Sequence, residues 1–146
     1  MRLEPFCDLE LTYREMPELG TRFVLVQPYG TEEGMGYGEG DGLASGTQLN
    51  GSVRWVNHPR RRSDGSMLPD AHGVILADDG SLLLFSLQGR TMFIGDQGQQ
   101  LLRVLFETES ERYRWLNSAL CVLEGQVEAA RMAMRARVYV CVPDVA

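Results

Sequence analysis

Apolar and polar residues alternate along much of this chain, and the period of that alternation predicts its elements. Leu9, Leu11 and Tyr13 alternate with Glu10, Thr12 and Arg14, a period of two that predicts a half-buried strand over Glu4–Arg14. Thr21–Gln27, rich in Phe and Val between Gly20 and the Pro28-Tyr29-Gly30 turn signal, predicts a second. Between Gly30 and Gly51 the glycines at 34, 36, 38, 40, 42 and 46 are too dense for a helix. They predict irregular, bulged β structure or a backbone lying close to another surface. Ser52–Asn57, with Val53, Trp55 and Val56, suits a strand that follows the turn-favouring Asn50-Gly51 pair.

His58–Pro69 is polar and punctuated, with Pro59, the Arg60-Arg61-Arg62 run and Asp64-Gly65, and predicts a loop. Ala71–Ala77 and Ser81–Gly89 flank Asp78-Asp79-Gly80 and predict a hairpin. Another strand is expected at Leu101–Thr108, after a Gly- and Gln-rich turn at Gly95–Gln100. Ser110–Leu116, with Ser110 as a cap, is the one short helix expected. Met132, Met134, Ala136, Val138, Val140 and Val142 occupy every second position, with Arg131, Arg135, Arg137 and Tyr139 between them. That pattern predicts a long strand against the helical propensity of Ala, Met and Arg, its apolar face turned inward or into a subunit contact.

About nine or ten strands with scarcely any helix imply an all-β fold, and a single antiparallel β-barrel would leave no exposed edges. At 146 residues and 44% apolar content one domain, 1–146, is expected. The net charge of −6 disfavours a nucleic-acid backbone or an anionic membrane as partner. No run approaches about 18 apolar residues, and Met1–Glu10 carries Glu4, Asp8 and Glu10 where a signal peptide needs a basic end and an apolar run. A soluble, cytoplasmic protein is expected. Cys7, Cys121 and Cys141 are odd in number and scattered, which predicts neither a disulfide framework nor a zinc site. All fourteen basic residues are Arg. The absence of Lys excludes Schiff-base chemistry, a P-loop lysine and a Ser-Lys nucleophile pair.

Several separated patches, Gly46-Thr-Gln-Leu-Asn-Gly51, Ser63-Asp64-Gly65, Asp70-Ala71-His72, Asp78-Asp79-Gly80, Gly89-Arg90, Phe106-Glu107-Thr108 and Tyr113-Arg114-Trp115-Leu116-Asn117, resemble one bacterial and fungal family. It is the domain of unknown function 3237, also called the uncharacterised protein family UPF-0311. The resemblance spans nearly the whole chain and implies a calycin-like or allene-oxide-cyclase-like barrel with an internal cavity, usually in homo-oligomers. It implies no particular reaction. Some relatives of this barrel type act as cofactor-free cyclases or isomerases, an analogy at the level of fold.

The chemistry-bearing residues cluster in the central segment. His72 can serve as a general acid/base, with Asp64 or Asp70 to orient it, and His58 is the only other imidazole. Two His and a carboxylate can in principle hold a metal, but the spacing matches no metal motif, and no metal or cofactor is expected. Arg54, Arg60, Arg61, Arg62 and Arg90 form a basic excess suited to a carboxylate, an enolate or a polarised carbonyl. Arg62 and Arg90 are favoured, and Arg60 and Arg61 read as solvated. An RNA site on the Arg run with Trp55 for stacking conflicts with the overall charge. Gly36–Gly42 lacks the strand-loop-helix context of a dinucleotide site.

A hairpin turn near residue 79 predicts the pairs His72 with Ser86 and Asp70 with Gln88, and places Arg90 opposite Leu68. With His72, Val74 and Leu76 taken as the inward face because they are larger than Ala71, Gly73 and Ile75, one cavity mouth is expected. His72, Arg62 and Asp64 would be its catalytic residues, and Trp55, Arg90, His58 and Arg54 would bind substrate. The expected function is a cofactor-free isomerase, cyclase or lyase for an apolar organic molecule bearing a carbonyl or carboxylate. The alternatives are a non-catalytic small-molecule carrier and a structural, oligomeric barrel.

Overall fold

The computed structural model describes residues 1–145. Its strands are β1 (Arg2–Tyr13), β2 (Val24–Val26), β3 (Gly34–Ser45), β4 (Gly51–Asn57), β5 (Arg60–Arg61), β6 (Met67–Leu68), β7 (Asp70–Ala77), β8 (Leu82–Ile94), β9 (Gln97–Thr108), β10 (Cys121–Glu128) and β11 (Ala133–Val142). Eight of them close an antiparallel barrel in the order β1, β11, β10, β9, β8, β7, β4, β3 and back to β1. Closure pairs every long strand on both sides, so the all-β expectation holds. The barrel accounts for eight strands; β2, β5 and β6 are short additions at one end.

Inside the barrel, bulky and minimal residues take turns. One inward row runs Gly40, Trp55, Gly73, Phe85, Phe106 across β3, β4, β7, β8 and β9. A Cβ at Gly73 would lie 2.5 Å from the Phe85 ring, and one at Gly40 would collide with the Trp55 ring. Gly36, Gly38, Gly40 and Gly42 point inward at alternate positions of β3, so aromatic rings can lie directly on its backbone. The glycine-rich segment is therefore a regular twelve-residue strand rather than an irregular one.

The predicted hairpin register is observed: His72 pairs with Ser86, Asp70 with Gln88, and Met67 of β6 continues the same register onto Thr91. Its inward face is the opposite of the expected one. Ala71, Ile75 and Ala77 are buried, while His72 and Leu76 are exposed. Phe85, Leu83 and Leu87 from β8 fill much of this part of the interior: the Phe85 ring lies where a side chain at Gly73 would be, small residues stand at 71 and 77, and Ile75 is the one large side chain β7 contributes.

The strand β10 at Cys121–Glu128 was not among the expected elements, and four boundaries differ from expectation. β9 begins at Gln97 because the preceding turn is only Gly95-Asp96, with Gly95 at φ +64°. Thr21–Gln27 yields a strand of three residues, and His58–Pro69 contains the small β5–β6 hairpin. The short helix is a 3₁₀ turn at Arg114–Ser118 preceded by Tyr113. Ser110 does not cap it; its Oγ lies 2.9 Å from the Ser81 Oγ. This turn closes one barrel end: Leu116 is fully buried, and the Tyr113 hydroxyl donates to the Gln48 carbonyl at 2.8 Å. Met134 and Val138 of β11 face the core, as their alternation predicts.

Candidate functional site

The end opposite the 3₁₀ plug stays open. There the strands end at Tyr13, Asn57, Asp70 and Ile94 and enclose a cavity of about 370 Å³. Its walls are mainly apolar, from Leu11, Leu87, Leu102, Val127 and Met134, with Tyr13, Phe23, Trp55 and Phe93 contributing rings. Such a chamber, with few polar groups, is the usual setting for an organic ligand. A larger concave surface of about 1030 Å³ lies on the outside of β1 and β8–β11. Its arginines are largely occupied there: Arg137 pairs with Asp8 at 2.8 Å and Arg131 with Glu128 at 3.4 Å. The inner cavity is the better ligand site despite its smaller volume.

Tyr13 reaches the cavity because it continues the inward series Leu9, Leu11 on β1. Its ring packs edge-on against Trp55 with centroids 4.7 Å apart and against Phe23 at 5.5 Å. The Asp70 backbone N–H donates to Asn57 Oδ1 at 3.0 Å, which fixes the orientation of that amide, since a backbone N–H can only donate. Asn57 Nδ2 then donates to the Tyr13 hydroxyl at 2.9 Å. The phenol oxygen is an acceptor in this pair, so its own proton is free for another acceptor. Burial raises the Tyr13 pKa above 10.0, only partly opposed by the Asn57 hydrogen bond, and the phenol stays protonated at neutral pH.

Three further polar residues, Arg61, Thr91 and Gln100, line the chamber. Arg61 stands at its rim, ion-paired to Glu32 at 2.6 Å. Across the barrel Gln100 Nε2 donates to Thr91 Oγ1 at 2.8 Å, and Gln100 Oε1 is buried without a hydrogen-bond partner. Met132, also in the lining, has φ +52° at the end of the Ala129–Arg131 turn, and its carbonyl accepts from the Tyr13 N–H at 3.0 Å. This left-handed backbone is strained for a residue with a side chain and is held at the same mouth as Tyr13.

Of the residues expected at the site, Trp55 alone lines the cavity. His72 points outward and shares the outer face with Asp70, whose Oδ1 lies 3.2 Å from His72 Nε2. Arg54 and Arg90 occupy outward positions of β4 and β8. His58 is exposed and meets the Tyr37 ring edge-on. Arg62 and Asp64 belong to a tight exposed turn in which Asp64 Oδ1 accepts from the Ser66 N–H at 2.9 Å and its Oγ at 2.6 Å. Those bonds hold the Asp64 carboxyl below its ordinary pKa and commit it to the turn. The expected cluster does not form because one parity choice on β7 and β8 sends His72 and Arg90 outward together. Tyr13 and Asn57 were missed as site residues, and Arg61, read from the sequence as solvated, stands at the rim. Only Tyr13 carried a sequence signal, as the polar-tipped member of an inward apolar series.

Fold and cavity together define a closed antiparallel β-barrel with an apolar chamber open at one end. No family model matches the chain. Over 78 residues, 53% of this chain, it is 31% identical to the hydroalkoxylation enzyme phnH of Penicillium herquei. The match spans 47% of that relative, about half its length. Among solved structures, a Clostridium acetobutylicum protein with unknown function superposes with a TM-score of 0.83 at 18% identity, covering 97% of this chain and 100% of that one. A β-barrel-like protein from Acinetobacter baumannii gives 0.79 at 17% identity, over 95% and 94% of the two chains. An enzyme from Penicillium herquei gives 0.66 at 20% identity, over 94% and 93%. These likenesses establish the barrel fold. Among the described residues no helix is long and apolar enough to cross a membrane.

Proposed function

We propose that the chamber binds an apolar organic molecule bearing a carbonyl group and promotes its cofactor-free cyclisation, by addition of the molecule's own hydroxyl across a conjugated C=C bond. The observation that carries this reading is the Tyr13 hydroxyl, whose proton is left free by the Asn57 hydrogen bond inside an apolar chamber. As the new C–O bond forms at the β carbon, the C=C π pair becomes the enolate's new C=C bond and the C=O π pair moves onto the oxygen. A preorganised donor there stabilises the enolate, and proton return to carbon, with loss of the hydroxyl proton, completes an isomerisation. No oxidant or reductant enters the balance. Aromatic walls exclude water and orient the chain for ring closure. The partial likeness to a hydroalkoxylation enzyme supports this reaction class, and the barrel is shared with the solved structure of an enzyme from the same fungus, Penicillium herquei. The resemblance to the domain of unknown function 3237 fits the same barrel and is proposed as the family.

The test uses 2′-hydroxychalcone, whose ring closure to flavanone is an addition of this type and is followed by absorbance. Acceleration over buffer, lowered about 10²–10³-fold in Tyr13→Phe, is the expected result for loss of one such donor. A thermal-shift panel of hydroxy-enones, carboxylated aromatics and lactones runs beside it, since a ligand of the folded state raises the melting temperature. Binding without turnover would replace the enzyme by a carrier, and neither binding nor turnover would overturn the reading.

A further inference from the structure

The outer face of β4, β7, β8 and β9 carries large apolar side chains in water. Leu76, Leu82 and Leu84 are 49%, 58% and 58% exposed, and Leu105 is also exposed. Three cross-strand rows organise this face. One runs Val56, His72, Ser86, Leu105; the next Arg54, Val74, Leu84, Glu107; the third joins Leu76 to Leu82. Partners in an antiparallel ladder project to the same side, so all three rows face outward together.

Each row reads as its own complement about the line between β7 and β8. A two-fold axis along that line, in the plane of contact, exchanges β4 with β9 and β7 with β8. It brings Val56 over the partner's Leu105, Val74 over the partner's Leu84, and Leu76 over the partner's Leu82. It also brings Arg54 over the partner's Glu107 and His72 over the partner's Ser86. Arg54 has Asp41 as its β3 neighbour, yet neither Arg54 nor Glu107 forms a salt bridge among the described residues. The middle row is thus an apolar centre ending in two unpaired charges of opposite sign, the arrangement an isologous contact requires.

We propose that this face is the interface between two copies of this chain, related by a two-fold axis that runs between β7 and β8. Four strands at about 4.8 Å by eight residues at about 3.3 Å give about 500 Å² of wall, and the convexity of the barrel centres the contact on β7 and β8, so the association is of the weaker, concentration-dependent class. A stable contact buries about 800 Å² per partner. Two such sheets pack with their strands within about 30° of each other, which keeps the rows nearest the axis in register. The interface lies on the outer wall, so the cavity stays open in the dimer and the two proposals fail separately.

The experiment is sedimentation of the full chain over a range of concentrations, with four variants compared. Leu84→Arg places a charge at the centre and yields monomers, while far-UV circular dichroism stays unchanged because the side chain is on the surface. Arg54→Glu and Glu107→Arg each set like charges face to face and weaken association by about tenfold or more. The double variant R54E/E107R restores the opposition with signs exchanged and recovers most of that loss. A wild-type protein monomeric at every concentration overturns the proposal. So does an oligomer insensitive to Leu84→Arg, or one whose single charge reversals are not rescued by the swap.

Discussion

Asn57 holds Tyr13 by a 2.9 Å hydrogen bond from its amide nitrogen to the phenol oxygen, while its own carbonyl oxygen is held by the Asp70 N–H at 3.0 Å. Two residues 44 positions apart in the chain thus set the direction of one proton. The donor of this site is defined by what Tyr13 accepts.

Removing that relationship has separable consequences. Tyr13→Phe leaves Asn57 Nδ2 buried without its partner and lowers stability by about 1–3 kcal/mol, measured by urea denaturation. Asn57→Asp is a different perturbation. Its carboxylate still accepts from Asp70 N–H but cannot donate to Tyr13, which then turns its proton toward residue 57. Turnover of the chalcone falls in both variants, and ligand binding falls less than turnover in Asn57→Asp.

Glycines on β3 are predicted to be as sensitive as any side chain in the site. A Cβ at Gly38 would run into the Tyr13 ring, and one at Gly40 into both the Trp55 ring and the Thr12 carbonyl. Gly40→Ala should cost more stability than Gly38→Ala, because the backbone of β1 cannot move aside as a ring can. Loss of about 1–3 kcal/mol is expected from such overpacking, with a shifted Trp55 fluorescence maximum as the local reporter. An unchanged spectrum and melting curve in both variants would contradict the packing described.

Alkaline pH should destabilise the fold through buried thiols. Burial, with smaller contributions from Asp8 and Cys121, raises Cys7 from 9.0 to about 12, and burial and Cys141 raise Cys121 to about 11. The unfolded chain releases these protons near pH 9 while the folded chain keeps them. The stabilisation is therefore complete below pH 9 and is lost as pH rises toward 12. Tyr13, raised above 10.0, adds to the loss in the upper part of that window. The chain has no Lys to titrate there. Denaturation at pH 7, 9 and 10.5 should show this fall, and a flatter dependence in C7A/C121A.

His72 lies on the outer wall, away from the chamber. His72→Gln should leave ring closure of the probe within about twofold of wild type, as for a surface substitution remote from the reacting atoms. A large drop in turnover with unchanged sedimentation would place an acid/base group where the geometry has none.

The strands and hairpin were legible because their signals are local. Leu9, Leu11 and Tyr13 declare a strand by alternation alone, and Asp78-Asp79-Gly80 declares a turn whose position dictates the pairing of His72 with Ser86. Ser110 was misleading because Thr108, Asn117 and Ser81 engage the backbone and side chains around it. The helical turn starts at Arg114, four residues after Ser110, with Tyr113 at its N-terminal boundary. Arg61 and Arg62 are adjacent and chemically alike. Only the pairing of Arg61 with Gly34 of β3, in the β5 strand, sets it at the cavity rim while Arg62 enters the turn.

Chain composition and periodicity therefore determined the all-β class, most of the barrel strands and the register of the central hairpin, since each depends on residues close in sequence; β10 and the regularity of β3 emerged only with the pairing of their neighbours. Which face of that hairpin turns inward depended on the volume left by Phe85 of its own second strand and by Trp55 and Phe106 from two other strands. Bulk on β7 pointed to His72, Val74 and Leu76, yet the Phe85 ring leaves no space for a side chain at position 73, and the face of Ala71, Gly73 and Ile75 turns inward. Close packing decides such a question across the barrel, where one large ring requires a small neighbour. The same global constraint moved the site from His72 and Arg90 to Tyr13 and Asn57, which meet only once β1 and β4 are joined through β3.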